Sequence, residues 1–320
     1  MKDVQVSILM AVYNGQAYLE EALDSILRQT HENFEAVIVD DGSADRTPDI
    51  IALFAARNRR IRYIRQSNKG MAAALNLGLS ISCNEIVARM DADDRMLPMR
   101  LEKQLPFFLE HPEIAVLSSL VYYINEEGKR FGYTRDIITP EQVRRAVSDS
   151  KLIGFSHPAV MMRKDAILQA GGYRTGFWPA EDLDLWARLA EQGWDLATFP
   201  EYLLEYRIHR ASVSVAQPQL ALRKAGWAQA CMRARRAGQA EPSWAGYTDS
   251  LRRFPLVSRL NFARREAAAI KFKQGVVWLS LNKIGRAVTS VMISAVLQPT
   301  YFLSKAALKA PTWRGWKLGT

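Results

Sequence analysis

The chain has 320 residues, 48% of them hydrophobic, with 43 Lys and Arg against 33 Asp and Glu and a net charge of +10. Such a length and composition are ordinary for a globular protein and allow one large α/β body plus an appendage. The only two cysteines, Cys83 and Cys231, are far apart and lack C-x-x-C spacing, which argues against a disulfide framework or a zinc site and suits a reducing compartment.

In chain order, Val4 to Val12 is β-rich and mostly apolar, which predicts an inner parallel strand that ends at Tyr13-Asn14-Gly15. It follows Met1-Lys2-Asp3 directly, with no signal-peptide pattern. Residues 17–28 show helical spacing through Leu19, Ala22, Leu23, Ile26 and Leu27. Phe34 to Val39 reads as a second strand running into Asp40-Asp41-Gly42-Ser43, and Asp45-Arg46-Thr47-Pro48 opens a helix to about Arg57. Ile61 to Ile64 is a short third strand. Asn68-Lys69-Gly70 leads into a small-residue helix from Met71 to Leu79, and Ile86-Val87-Ala88 reads as a buried fourth strand. That strand runs into Arg89-Met90-Asp91-Ala92-Asp93-Asp94, ahead of Pro98, a helix-start residue.

Strand–helix alternation repeated four times predicts an open, mainly parallel, Rossmann-like α/β sheet with helices on both faces. Ligands of such sheets sit outside the carboxyl ends of the strands. The polar clusters Tyr13-Asn14, Asp40-Asp41 and Asp91-Ala92-Asp93 all fall there. Each alone could be turn chemistry, but their convergence on one edge points to a site. Three carboxylates within four residues at the end of a buried strand repel one another and resist desolvation. A divalent cation that also holds phosphate oxygens would offset that cost, and the donor type suits Mg²⁺ or Mn²⁺. The competing reading is a surface loop in which Asp94 caps the next helix. Neither a G-x-G-x-x-G after the first strand nor a G-x-x-x-x-G-K-[ST] is present, so the glycine phosphate cradle is missing from a nucleotide-binding architecture. A nucleoside diphosphate held by Asp at base and ribose, and by a metal at its phosphates, fits both observations.

Ser7 to Asn14, Val39 to Ser43, Asn68-Lys69-Gly70 and Met90 to Asp94 resemble, in order and spacing, the successive signatures of family 2 glycosyltransferases, inverting enzymes of the GT-A fold. The resemblance covers roughly residues 4–215. It implies a metal-dependent enzyme, using Mn²⁺ or Mg²⁺, that moves a sugar from a nucleotide-sugar, most commonly a UDP-sugar, to an acceptor. On the donor side it implies contacts from Val12, Tyr13, Asn14, Asp40, Asp41, Lys69, Gly70, Arg89, Asp91 and Ala92, with Asp93 ligating the metal.

Further along, Ser156 to Arg163 reads as a strand, Gly171-Gly172-Tyr173 as a turn, and Pro179 to Trp186 as a helix start. Leu183, Trp186 and Ala190 share a helical face by spacing, so that face is expected to pack on the sheet. Glu181 and Asp182 fall in the first turn, where the helix dipole favours negative charge, and position alone reads them as helix-end stabilisation. The Glu-Asp pair at this distance after Asp-x-Asp resembles the family's catalytic-base motif, which implies Asp182 as the base with Glu181 beside it. His157 reads first as a structural histidine; it and Trp186 are also candidates for the acceptor side. Glu205 to Ser214 resembles the family's closing segment, implying a diphosphate contact for Arg207 and a metal contact for His209, although a lone loop histidine is as often neither.

At Gln217 the composition changes. The expected division is a catalytic domain over 1–216, with a nucleotide-sugar half (1–97) and an acceptor half (98–216), then a basic helical region over 217–320. Residues 216–320 hold 18 basic and 3 acidic side chains, whereas residues 1–215 hold 25 and 30. Such asymmetry suggests an anionic partner. Helical runs are expected over 219–237 and 250–274, followed by a stretch from Gly275 to Leu308, including Tyr301, Phe302 and Leu303, that is apolar with sparse cations. Lys283 and Arg286 interrupt this stretch and Pro299 breaks it, which disfavours a spanning helix. Apolar residues and Trp flanked by Lys and Arg suit helices lying in a membrane interface; the alternative is an appendage packed on the body with a solvated basic face. Nucleic acid explains the charge less well, since no recognised module accompanies it. The expected setting is the cytoplasm, peripheral at the inner membrane face, with a glycan or polyprenyl-linked acceptor in envelope polysaccharide synthesis. Two other classes compete. One is a catalytically inactive nucleotide-sugar-binding scaffold, against which the intact Asp93 and Asp182 argue. The other is a metal-dependent nucleotidyltransferase, which would need a Lys- and Gly-rich phosphate loop that residues 10–20 lack.

Overall fold

Strands covered on both faces need apolar residues at nearly every position rather than at alternate ones, and the first strand meets that demand except at Ser7, whose hydroxyl donates to Glu35. In a computed structural model that describes residues 4–300, β1 (Val6–Val12) is buried throughout. Val6, Ile8, Met10 and Val12 enter one core and Leu9 and Ala11 the other, so β1 lies in the middle of a three-layer sandwich. α1 (Leu19–Leu27) turns Leu19, Ala22, Leu23 and Ile26 inward. β2 (Phe34–Asp40) is again wholly buried, and α2 (Thr47–Arg57) carries Pro48 in its first turn, where a missing N–H costs no bond. β3 (Ile61–Arg65), α3 (Met71–Ile81) and β4 (Ile86–Asp91) complete the first half. α3 lies close on the sheet because Gly78 has no side chain: a Cβ there would stand 2.1 Å from Leu9 Cδ1.

These four strands are parallel, in the order β3-β2-β1-β4. The second half extends the same sheet differently. It comprises β5 (Arg95–Met96), α4 (Arg100–Glu110), β6 (Ile114–Ile124), β7 (Arg130–Tyr133), α5 (Pro140–Ser148), β8 (Met161–Arg163), α6 (Lys164–Gln169), α7 (Glu181–Glu191) and β9 (Asp195–Arg207). β8 lies antiparallel between β4 and β6, β9 runs parallel to β6, and β5 pairs antiparallel with β9. β7 hangs antiparallel on β6, which gives nine strands in one mixed sheet.

Local expectations are corrected at four places. The stretch from Ser156 is not one strand: His157–Ala159 form a 3₁₀ turn, and only Met161–Arg163 pairs. Pro158, without an N–H, cannot donate to a ladder. Pro98 does not open a helix, since β5 intervenes and α4 starts at Arg100. In α7 the buried face is set by Leu185, Trp186 and Leu189, leaving Leu183 and Ala190 only partly covered. The helical run over 250–274 is broken at Pro255, which forces the residue before it out of the α region.

Among the described residues, five helices follow the sheet: α8 (Val213–Ala216), α9 (Pro218–Arg236), α10 (Trp244–Arg253), α11 (Leu256–Ser280) and α12 (Ile284–Leu297). α9 is fastened to the body. Trp227 stacks on Phe177 with ring centres 3.9 Å apart, and Arg235 pairs with both Glu191 on α7 and Glu241. Glu241 also pairs with Arg174, which with Arg188 holds the fully buried Asp184. Among the described residues no helix is long and apolar enough to cross a membrane. The part of the apolar stretch at Tyr301, Phe302, Leu303 and on to Leu308 lies outside the described residues.

Candidate active site

β4 delivers three carboxylates to its carboxyl end. Ligand oxygens of Asp91, Asp93 and Asp94 all lie within 4.8 Å of one another. Each has its own support. Arg89 Nη2 pairs with Asp91 Oδ1 at 2.5 Å, and His209 Nε2 sits 2.8 Å from Asp93 Oδ2. The backbone N–H of Arg207 donates to Asp94 Oδ1 at 2.7 Å, while Asp94 Oδ2 is buried without a partner. Asp94 is 1% exposed, and burial together with the charges of Asp93 and Asp91 pushes its carboxyl well above the usual range. Burial also raises Asp91, against the opposing pull of Arg89. The reading of Asp94 as a helix cap is therefore corrected: α4 starts after Met99 with no side-chain cap. An orphaned carboxylate oxygen within a set of hard oxygen donors, with an imidazole on its rim, fits Mg²⁺ or Mn²⁺.

Arg207 holds this wall together. Its Nε donates to the Asp93 carbonyl at 2.7 Å and its Nη1 to the carbonyls of Asn125 and Glu126 at 3.0 and 3.1 Å. Its Nη2 pairs with Glu21, and the guanidinium lies over the Tyr18 ring, 4.4 Å from its centre. So committed and buried, it stands behind the carboxylates, which corrects the expected contact with a diphosphate. Tyr18 also packs against the His209 ring, with centroids 5.1 Å apart.

At the neighbouring strand ends, adjacent aspartates divide the work. Asp40, fully buried, accepts from Ser43 N at 2.9 Å and pairs with Arg65 Nε at 3.3 Å. It braces the turn and has no surface for a ligand, which corrects its assignment to the donor. Asp41 accepts from Gln66 Nε2 (2.7 Å), Lys69 N (2.8 Å) and Gly70 N (2.8 Å), so it fixes the loop before α3. Gly42, at φ 78°, permits this: a Cβ would lie 2.8 Å from Asn68 N. Asn14, at φ 51°, accepts from Ala44 N, and its own N–H donates to Ser43 Oγ. The Val12 carbonyl accepts from Asp41 N at 2.8 Å, and Ala92 is half-buried against the core. Tyr13, Asn14, Lys69 and Gly70 are exposed on this edge.

The start of α7 supplies the second pair of carboxylates. Asp182 Oδ1 accepts from Leu183 N at 2.8 Å, whereas Glu181 is buried with Oε2 unpartnered. Burial pushes Glu181 up to about 7, with Asp182 adding to the rise, and pushes Asp182 up to about 6. Arg89 lowers both, and Asp91 raises both, so the two carboxylate groups share one electrostatic field with Arg89 inside it. Arg89 itself is buried, with Nε and Nη1 lacking partners. His157 Nε2 lies 2.9 Å from the Tyr173 hydroxyl, with its ring edge-on to Trp186. Burial drives the imidazole well below its ordinary pKa, with the charge of Arg89 adding to the fall, which favours the neutral form. Trp186 is 2% exposed and belongs to the core, which corrects its placement on the acceptor side.

Tyr18, Glu21, Asn125 and Tyr173 were not singled out from the sequence. Tyr18 and Glu21 are three residues apart at the start of α1, directly after a strand end, and that spacing is the signal that could have found them.

The family model for glycosyl transferase family 2 matches residues 7–170. The chain is 35% identical over 207 residues to a putative glycosyltransferase, EpsE, of Bacillus subtilis, covering 63% of this chain and 73% of that one. It is 31% identical over 214 residues to the O-antigen biosynthesis glycosyltransferase WbnJ of Escherichia coli, covering 65% and 81%. Among solved structures, S. aureus TarS 1-349 in complex with UDP-GlcNAc superposes with a TM-score of 0.55 at 16% identity, over 92% of each chain.

Proposed function

The chain belongs to glycosyl transferase family 2, and on that footing we propose that it is an inverting, divalent-metal-dependent transferase that moves a sugar from a UDP-sugar to an envelope glycan or lipid-linked acceptor. The observation that carries the reading is the meeting of two carboxylate groups around one buried arginine: Asp91, Asp93 and Asp94 on one side, Glu181 and Asp182 on the other.

Asp93 and His209, backed by Asp91 and Asp94, would hold Mn²⁺ or Mg²⁺. When bound, the cation supplies Lewis-acid neutralisation of the charge that grows on the departing nucleoside diphosphate. The chain's own residues do the rest. The loop fixed by Asp41 presents Lys69 and Gly70 at the donor edge, beside Tyr13. Asp182 takes the proton from an acceptor hydroxyl while that oxygen bonds to the anomeric carbon. The bond from that carbon to the diphosphate oxygen breaks with its electron pair on the leaving group, and a single displacement inverts the configuration. Glu181, raised to about 7 by burial and by Asp182, is partly protonated near neutrality, which lessens the negative charge beside the base. Arg89 compensates the negative charge shared by the two groups.

Names of relatives support the acceptor class: O-antigen biosynthesis for WbnJ, and amylovoran biosynthesis for AmsE of Erwinia amylovora. TarS bound to UDP-GlcNAc makes UDP-sugars the first donors to try. The test is hydrolysis of UDP-, GDP- and dTDP-sugars with Mn²⁺ or EDTA, for the wild type, Asp93→Ala and Asp182→Asn. Metal-dependent release of one nucleoside diphosphate, lost in Asp93→Ala, is expected. If calorimetry detects no donor binding with metal present, the proposal falls and a non-catalytic role takes its place.

A further inference from the structure

α11 and α12 pack on each other through small residues. A Cβ on Gly275 would stand 2.6 Å from Val291 Cγ2 and 3.2 Å from the Ala287 carbonyl, and Ala287, Ser290 and Ser294 are the buried positions of α12. Four large side chains of α12 face the other way. Ile284, Val288, Met292 and Val296 recur every four residues and are 61%, 56%, 58% and 77% exposed. Four-residue spacing places them in one stripe along the helix. At the start of α11, Leu256, Val257 and Leu260 are more than half exposed. This start lies at the same end of the hairpin as the close of α12, where Arg264 Nε donates to the Leu297 carbonyl. Single exposed apolar residues are ordinary, but a continuous apolar stripe on a helix whose inner face is small and polar is inverted relative to a helix of a water-soluble core.

The charge around the stripe decides its partner. Residues 254–300 hold seven Lys and Arg and one acid, Glu266, which is buried and paired with Arg223. Trp278 sits with Lys283 Nζ 5.5 Å and Arg286 Cζ 5.0 Å from its ring centre. A polyanion such as RNA would use the cations and leave the stripe wet. An apolar protein partner would cover the stripe and leave the near-absence of acids without a reason. A bilayer with anionic headgroups uses both, and an amphipathic ring flanked by cations suits its interface.

We propose that the α11–α12 hairpin docks on an anionic membrane surface, with the Ile284–Val296 stripe at the acyl boundary and the flanking Lys and Arg at the lipid phosphates. The hairpin is tied to the site. Asn125 Nδ2 donates to the Ser280 carbonyl at 3.3 Å, the Asn125 carbonyl accepts from Arg207, and Arg207 bonds the Asp93 carbonyl. A docked hairpin thereby holds the Asp93 cluster at a set height over the lipid. The proposal is independent of donor and acceptor chemistry, because vesicle binding is read without either.

Flotation of the full chain with phosphatidylcholine vesicles, with and without phosphatidylglycerol, tests it. Binding is expected only with phosphatidylglycerol and should weaken as salt rises. Val288→Asp with Met292→Asp, both on the solvent-facing stripe, should lower partition about tenfold or more. Lys283→Glu with Arg286→Glu should remove the preference for phosphatidylglycerol. Unchanged circular dichroism and donor hydrolysis would show that these variants fold. Absence of flotation with either vesicle overturns the proposal, as does binding that neither variant alters. A wild-type oligomer that Val288→Asp with Met292→Asp dissolves, without lipid binding, would give the face to a second copy instead.

Discussion

Protonation at the start of α7 offers the sharpest test of the chemistry. With Asp182 pushed up to about 6 by burial, kcat/KM should climb with pH and level off near neutrality, since the base acts only when ionised. At pH 5 such a group is ionised in about one molecule in eleven, so the rate should fall about tenfold from its plateau. Asp182→Asn should cost about 10²–10⁴-fold in kcat, leave donor KM nearly unchanged and flatten the acidic limb. Glu181→Gln has a different signature. Burial and the neighbouring Asp182 raise Glu181 from 4.5 in a free chain to about 7, so its ionisation opposes folding. The stability it allows is full below pH 4.5 and is lost as pH rises through about 7. That difference corresponds to a cost on the order of 3 kcal/mol at most. Glu181→Gln should therefore match the wild type at pH 4 and exceed it at pH 8 by up to that amount. Urea unfolding at the two pH values, beside pH profiles of kcat/KM in Mn²⁺, reads both effects. An acidic limb that persists in Asp182→Asn, or a Glu181→Gln variant no more stable than wild type at pH 8, would refute the reasoning.

Asp93→Ala should abolish the Mn²⁺ enhancement of UDP binding measured by calorimetry. Its folding stability should hold, because one of three crowded carboxylates is removed. Arg207→Met deprives three carbonyls of their donor and Glu21 of one of its two arginines, Arg95 remaining, and should lower unfolding stability by about 1–3 kcal/mol, seen as a reduced urea midpoint. Arg207→Lys should rescue little of it, since an ammonium cannot span acceptors on four sides. Gly172→Ala should cost about 1–3 kcal/mol in the same assay, because φ there is 65° and a Cβ would sit 2.7 Å from Asn76 Oδ1.

The parallel half of the sheet was legible because β1, β2 and β4 are mostly apolar runs ending in a polar cluster, and the shorter, partly exposed β3 keeps the strand–helix rhythm between them. β8 was not: its three paired residues are too few to carry a period, and their place between β4 and β6 is set by contacts distant in sequence. At the site, the carboxylate cluster could be read from local crowding. The pairing of His209 with Asp93, separated by 116 residues, needed a resemblance to suggest it. Asp40 and Asp41 look alike in the sequence and are both buried, yet one closes a strand and braces its turn while the other reaches across to the loop at Lys69 and Gly70. Arg207 was misjudged because a charge is read as available until its partners are known, and Glu21 lay on what looked like the plain polar face of α1. Trp186 was read both as packing on the sheet and as an acceptor-side candidate; its burial matches the first reading, and Leu183 and Ala190 are the members of that face left partly covered.

The fastening of α9 to α7 bears on how this protein could be recombined with its relatives. The chain of ion pairs from Asp184 through Arg174, Glu241 and Arg235 to Glu191 begins and ends in the helix that carries Asp182, and passes through α9 and the segment beyond it. A chimera joined at Gln217 would give the catalytic helix foreign neighbours and leave Glu191 and Arg174 each short of a counter-charge. A junction placed after Glu241 keeps every one of those pairs within one parent. The hairpin could then be exchanged as a cassette, with the surroundings of the base inherited whole.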